Sequence, residues 1–200
     1  MRPDEYKGSL TREQFLFYET RIVAQKILEG KEENEIYEEI VRDNLFQFPT
    51  ERSIRSIATG CYKRLTTSGN DQLISLIANG SSEIAKQAAL YALMLYNAVV
   101  YDFMVEVIGE KYKSQDFSFD KSYITRFCSS LRDKDEKVQG WSDATMNKIR
   151  GVLLRCLVET GYLNQTSSKE LNPVYLYEEV LECMEENRDE EVFPAFNYFR

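Results

Sequence analysis

Apolar residues recur every three to four positions through most of the chain, the spacing that gathers them on one face of a helix. Phe15, Tyr18, Ile22 and Val23 predict the inward stripe of a first helix, opened by the capping-box pattern Thr11-x-x-Gln14 and stopped by Gly30. Ile36, Tyr37, Ile40 and Val41 predict a second, over about residues 32–43. Thr50 suits the N-cap of a third, reaching about Thr66, with Ile54, Ile57, Ala58, Cys61 and Leu65 inward. Asp71 caps a short helix that ends at Asn79-Gly80. Farther on, Asp120 caps a helix to about Leu131, with Ile124, Phe127, Cys128 and Leu131 inward and Arg126 and Arg132 pointing elsewhere. Residues 142–145 open another, to Thr160, on Met146, Ile149, Val152, Leu153, Cys156 and Leu157. A last, acidic helix follows Pro173, over about Val174 to Glu186. Residues 1–10 read as a loose arm, RDKDEKVQG (132–140) as a charged loop, and VFPAFNYFR as an aromatic end that docks back.

One stretch breaks the amphipathic rule. From Ala88 to Ile108 only Asn97, Asp102 and Glu106 are clearly polar. A helix apolar all round is buried in a core or in a bilayer. Spanning needs about 20 apolar residues with few or no charges, and here Asp102 and Glu106 lie four apart, on one buried face. Tyr91, Tyr96, Tyr101 and Tyr112 are spread along the run instead of gathering at two interfaces. The expectation is therefore a core helix of a soluble, cytoplasmic protein with no membrane partner. Asp102 and Glu106 should sit at a polar edge or pair with cations, and a break at Asn97 would give two packed helices.

Composition narrows the chemistry. The chain of 200 residues, 43% hydrophobic and 12% aromatic, can build a substantial core. It has no histidine, which removes the commonest general base and metal ligand. Its nine glycines form neither GxGxxG nor GxxxxGK[ST]. The four cysteines, Cys61, Cys128, Cys156 and Cys183, are far apart and read as buried thiols. No catalytic constellation can be assembled, so no enzyme activity, metal or cofactor is expected. The net charge of −8 is local: residues 170–193 hold nine acidic groups and one arginine, and the remainder sums to zero with 24 of each sign.

That neutral remainder allows basic faces. Opposite the apolar stripe of the third helix lie Arg52, Arg55, Ser56, Thr59 and Lys63, all hydrogen-bond donors. Helix, short turn and basic-faced helix make a helix-turn-helix-like pattern, although a solvated amphipathic helix gives the same face. The helix after residue 142 carries Lys148 and Arg155 outward, with Arg150 at the edge of its apolar stripe. Beyond Gly161, Tyr162-Leu163 and Leu171 read as two short strands around a polar tip whose cation is Lys169, a winged-helix-like pattern. The expected architecture is mainly α: a helical bundle with an N-terminal helix-turn-helix-like unit and a C-terminal winged-helix-like unit around a long apolar central helix. The boundary falls at SQDFSFD, giving residues 1–115 and 116–200. The acidic C-terminal tail is expected to face away from DNA or to compete with it for the basic faces.

Five stretches together resemble the BrxA family of BREX phage-defence systems: SLTREQFLFYETRIVAQKILEG (9–30), IVRDNLFQF (40–48), SIRSIATGCYKRL (53–65), AKQAALYALMLYNAVVYDFMVEVIGEKY (85–112) and WSDATMNKIRGVLLRCLVETGYL (141–163). The resemblance spans roughly residues 9–175, and the acidic end matches least clearly. It implies a non-enzymatic, all-helical protein that binds double-stranded DNA and works beside other BREX components, among them a methyltransferase, an ATPase and a phosphatase-like protein. The competing expectation is an interaction scaffold within the defence complex, its basic faces meeting acidic partners and not DNA.

Overall fold

The computed structural model describes residues 2–200. Among them every regular element is helical. The N-terminal half holds α1 (Phe17–Leu28), α2 (Glu33–Arg42), α3 (Glu51–Thr67), α4 (Asp71–Asn79) and α5 (Ser82–Tyr96). Short polar side chains start several of them: Thr50 accepts from Ser53 N, Asn70 from Leu73 N and Ser81 from Ile84 N. Glu32 and Glu35 close a reciprocal capping box on α2. Helix α1 packs on α3 and α4, α2 on α3, and α5 on α3 and α4.

The capping box at Thr11 does not form. Residues Gly8–Thr11 make a single 3₁₀ turn, and α1 starts at Phe17 after Leu16 takes a left-handed conformation. The later start sets the helix phase by Phe17, Thr20, Val23 and Ala24, which are buried. Tyr18 falls one step round from Phe17 and is 76% exposed, not inward as its spacing suggested.

The apolar run is buried without interruption from Ala88 to Met104. It breaks at Asn97, whose backbone is extended and whose side chain caps the next helix by accepting from Val99 N. There α6 (Ala98–Asp102) turns away; a π-helical segment, Phe103–Gly109, and α7 (Glu110–Lys113) continue it. The two arms, Ser82–Tyr96 and Ala98–Lys113, meet at 115°. Among the described residues no single helix is long and apolar enough to cross a membrane, and the pair reaches the required length only across that bend. Asp102 is 4% exposed and receives Arg2 Nε (2.6 Å), Arg2 Nη2 (2.8 Å) and the Tyr6 hydroxyl (2.6 Å). Glu106 does not share that buried face. It is exposed, 3.4 Å from Lys134 Nζ.

The C-terminal half holds α8 (Lys121–Lys134), α9 (Glu136–Gln139), α10 (Asp143–Glu159) and α11 (Glu178–Glu186), then a 3₁₀ segment, Glu190–Phe196. Asp120 and Ser142 cap α8 and α10. The charged loop contains α9, because Asp135 caps it and Val138 has a core site to fill. Helix α11 starts at Glu178, later than expected, since residues 174–177 are not helical and Tyr177 is extended. Strands at 162–163 and 171 do not form; among the described residues there is one isolated antiparallel bridge, Ser118↔Glu170. The backbone of 169–171 pairs with the 117–119 connection: Phe119 N donates to Lys169 O and Leu171 N to Phe117 O, both at 2.7 Å. Tyr162 and Leu163 are drawn into the core, where the Tyr162 hydroxyl donates to Ala195 O. The aromatic end does dock back, burying Val192, Phe193, Ala195 and Phe196.

Candidate nucleic-acid interface

Helix α3 buries Ile54, Ala58, Cys61 and Leu65 and so turns its other side outward. Arg52, Arg55, Ser56 and Lys63 are exposed there and Thr59 is half-buried. From Arg52 to Lys63 the stripe rises about 16 Å at ~1.5 Å per residue. Arg52 and Lys63 make no ion pair among the described residues. Arg55 Nη2 lies 2.8 Å from Glu38 Oε1 on α2, with both side chains largely in water. The Thr59 hydroxyl donates back to Arg55 O. Between α2 and α3 the connection runs from Asp43 to Thr50, with Asn44 and Gln47 left-handed, which is longer than the three or four residues usual in a helix-turn-helix.

Lys63 is not alone at its end of the stripe. Burial lowers the pKa of Lys7; Glu13 and Glu5 oppose this, and repulsion from Lys63 and Lys137 adds to it. Lys7 also sits 3.7 Å from the Tyr96 ring centre and takes its position from Asn97, whose side chain donates to Lys7 O. Nothing in the sequence singles out Lys7 or Lys137, because one lies in the arm and the other in a charged loop.

Arg64 follows Lys63 in sequence but is a structural group. It is fully buried and donates to Phe15 O (2.6 Å), Gln14 O (2.6 Å), Glu13 O (2.9 Å) and Thr20 Oγ1 (3.2 Å). It thereby fixes the irregular segment ahead of α1. Gln14 also receives Arg155 Nη2 of α10 on its side-chain oxygen, at 3.0 Å. Segment 13–15 is thus the shared neighbour of α3 and α10, and the 3₁₀ turn before it packs on α10.

On α10, Lys148 and Arg155 are exposed as expected, and Arg150 is half-buried at the edge of the apolar stripe, its Nη1 on Asn147 Oδ1. Lys169 is also exposed, but the 169–171 pairing places it at the start of α8. There, after hydrogen bonds from Ser122, Lys169 and Arg126 help hold the Asp120 carboxyl below its usual pKa. The site residues therefore fall on α3, on α10 and at the start of α8.

Among the described residues no three His, Cys, Asp or Glu side chains are arranged to hold a metal ion. All four cysteines are free and buried, and burial raises every thiol pKa, Cys61 to about 11 and Cys156 and Cys183 to about 12.

These features define a class: an all-helical protein whose candidate site is a set of cationic helix faces presented on a continuous core. More narrowly, the chain belongs to the BrxA family, whose family model matches residues 4–188. The chain is similar to three relatives, each called BREX protein BrxA. That of Bacillus cereus (strain H3081.97) is 32% identical over 183 residues, 88% of each chain. That of Paramagnetospirillum magneticum is 25% identical over 192 residues, 96% of each chain. That of Escherichia coli O9:H4 (strain HS) is 27% identical over 172 residues, 86% of this chain and 80% of the relative. The crystal structure of an uncharacterized protein from Magnetospirillum magneticum shares the fold, with a TM-score of 0.81 over 96% of this chain and 97% of that one, at 24% identity.

Proposed function

We propose that the chain is a non-catalytic, double-stranded-DNA-binding accessory component of a BREX bacteriophage-defence system, acting in the cytoplasm beside other BREX components. The observation that carries this reading is the α3 face: Arg52, Arg55, Ser56 and Lys63 exposed along one stripe, with Thr59 at its margin. Cations and hydroxyls on one helix face match a run of phosphates. The Arg55–Glu38 pair is solvent-exposed, so it is worth about 1 kcal/mol or less, and a phosphate can replace the carboxylate. Lys148, Arg155 and Lys169 supply further contacts in this reading, in which residues 1–115 carry the α3 face and 116–200 the remaining cations. Binding through phosphates is weakly sequence-selective and falls steeply with salt, log affinity against log salt having a slope of about −0.9 per phosphate neutralised.

The test is a mobility-shift titration with duplex DNA across salt, comparing the wild type with Arg52→Glu plus Arg55→Glu. The wild type should bind at low salt, and the double variant should bind at least tenfold more weakly with a slope shallower by about 2. No shift by the wild type at low salt would end this reading. The competing reading, an interaction scaffold without DNA contact, is favoured by one observation: α11 turns Glu178, Glu179 and Glu182 outward, an acidic face suited to a basic protein partner.

A further inference from the structure

Helix α8 presents a second donor-only face. Ile124, Phe127, Cys128 and Leu131 are buried, while Lys121, Ser122, Thr125, Arg126 and Ser129 are exposed. The helix contains no carboxylate before Asp133, in a chain with 33 acidic residues against 25 basic ones. Its first turn also carries Lys121 and no acidic group, although the positive end of a helix dipole favours carboxylates there. The composition of this face therefore runs against the chain average, the Asp120 cap being the carboxylate that meets the helix dipole.

Its cations are unspent. The ion pairs at this end of the molecule are Lys111–Asp116, Lys113–Glu110, Arg132–Asp143 and Lys134–Glu106. Lys121, Arg126 and Lys169 make none among the described residues. Of the nearby carboxylates, Glu106 and Glu110 line the hollow beside Arg126 but pair with Lys134 and Lys113, Asp116 is held by Lys111 Nζ at 2.8 Å and by Ser118, and Asp120 accepts from Ser122 N as the helix cap. Glu170 is exposed beside Lys169 in the bridge to Ser118. Arg126 is oriented by Tyr123, its guanidinium carbon 4.6 Å from the ring centre, and the same ring lies 3.8 Å from Lys111 Nζ. Thr125 and Ser129 donate to Lys121 O and Thr125 O, weak back-bonds that a hydroxyl rotation exchanges for an external acceptor. Lys121 and Arg126 are separated by a rise of about 7.5 Å at ~1.5 Å per residue, close to twice the ~3.4 Å axial spacing of phosphates along one strand.

The face resembles α3 more closely than α10 does. Helix α10 mixes Asp143 and Glu159 among its exposed residues, and its Arg155 is already bonded to Gln14. We propose that the outward face of α8, Lys121, Ser122, Thr125, Arg126 and Ser129 together with Lys169, is a second surface for the phosphate backbone of double-stranded DNA. The proposal rests on the DNA-binding reading above and makes α8 the principal contact element after α3. A duplex long enough to reach both surfaces engages α3 and α8 at once; one that reaches a single surface binds more weakly.

The test is fluorescence anisotropy with a labelled duplex across salt, using the full chain in four forms: wild type, Lys121→Glu with Arg126→Glu and Lys169→Glu, Arg52→Glu with Arg55→Glu, and Lys148→Glu with Arg155→Glu. All substituted positions are exposed. Helical circular dichroism checks each fold, and if the α8 triple variant loses it, Lys121→Gln with Arg126→Gln takes its place. The α8 variant should bind at least tenfold more weakly at low salt, with a slope shallower by about 3, and should lose more affinity than the α10 variant. Wild-type affinity and slope in the α8 variant, alongside weakened binding by the α3 variant, would overturn the proposal and leave the DNA reading intact. A wild type that binds no duplex would remove both. Polyglutamate bound by the wild type and lost by the α8 variant, with duplex binding unchanged, would make the face a protein-docking surface and also overturn the proposal.

Discussion

Arg64 shows how far neighbouring residues of one type can diverge. It and Lys63 both belong to the basic stretch of α3, yet Lys63 is in water and Arg64 is buried against three carbonyls and a hydroxyl. Among the described residues it makes no ion pair, so its charge is met by peptide carbonyls. Hydrogen bonds to a charged group are worth about 1.5–3 kcal/mol each. Arg64→Met should cost about 3 kcal/mol in a urea titration and loosen segment 13–15, and an unchanged midpoint would contradict this role. The thiols make a second case. Because burial raises all four pKa values, the cysteines should resist a thiol reagent at pH 8 in the native state and react together on unfolding. At Asp102 the expected cation partner is present, and it is Arg2, a hundred residues away. The need for a partner could be read from a carboxylate in an apolar run; its identity could not.

Among the elements, helix starts followed local chemistry where the cap had no competitor. Thr50, Asp120 and Ser142 cap the helices expected of them, whereas Asn70, one residue before the expected Asp71, caps α4. Thr11 does not, because Arg64 holds the following residues in an irregular path. The wing failed for a similar reason: a three-residue stretch with free backbone groups takes whichever edge the fold brings near, and that edge was 117–119. Gly109 marks another tertiary constraint. A Cβ there would lie 3.2 Å from Ala195 N and 3.4 Å from Pro194 Cβ, so the π-helical segment and the C-terminal 3₁₀ turn touch through a bare backbone. Gly109→Val should therefore cost about 1–3 kcal/mol by overpacking, read as a lowered thermal midpoint with the C-terminal end made protease-sensitive.

For the molecule as a whole, the two ends close the structure. The arm is tied to the bend through Arg2–Asp102 and Lys7–Asn97, and the tail buries Val180, Cys183, Met184, Val192, Phe193 and Phe196. Deleting residues 174–200 would expose that apolar surface, so the truncation should lose cooperative unfolding and cannot report on DNA binding. Competition between the acidic tail and DNA is better tested with Glu178→Gln, Glu179→Gln and Glu182→Gln, which leave the buried face intact. If the tail competes, duplex affinity should rise several-fold at low salt; unchanged affinity would dismiss competition.

The sequence by itself determined the helical class, most helix starts, the burial of the long apolar run and its break at Asn97. These depend on residue spacing and on caps a few positions away, and local order preserves both. It also set out the exposed face of α3, since an amphipathic helix fixes its outer side once its inner side is known. Only the tertiary structure decided that Arg64 is a core residue, that Lys7 stands near both Lys63 and Lys137, and that Lys169 joins α8. Each of those depends on contacts between residues far apart in sequence, and which partners meet is settled by how the helices pack, about which a one-dimensional pattern carries no information.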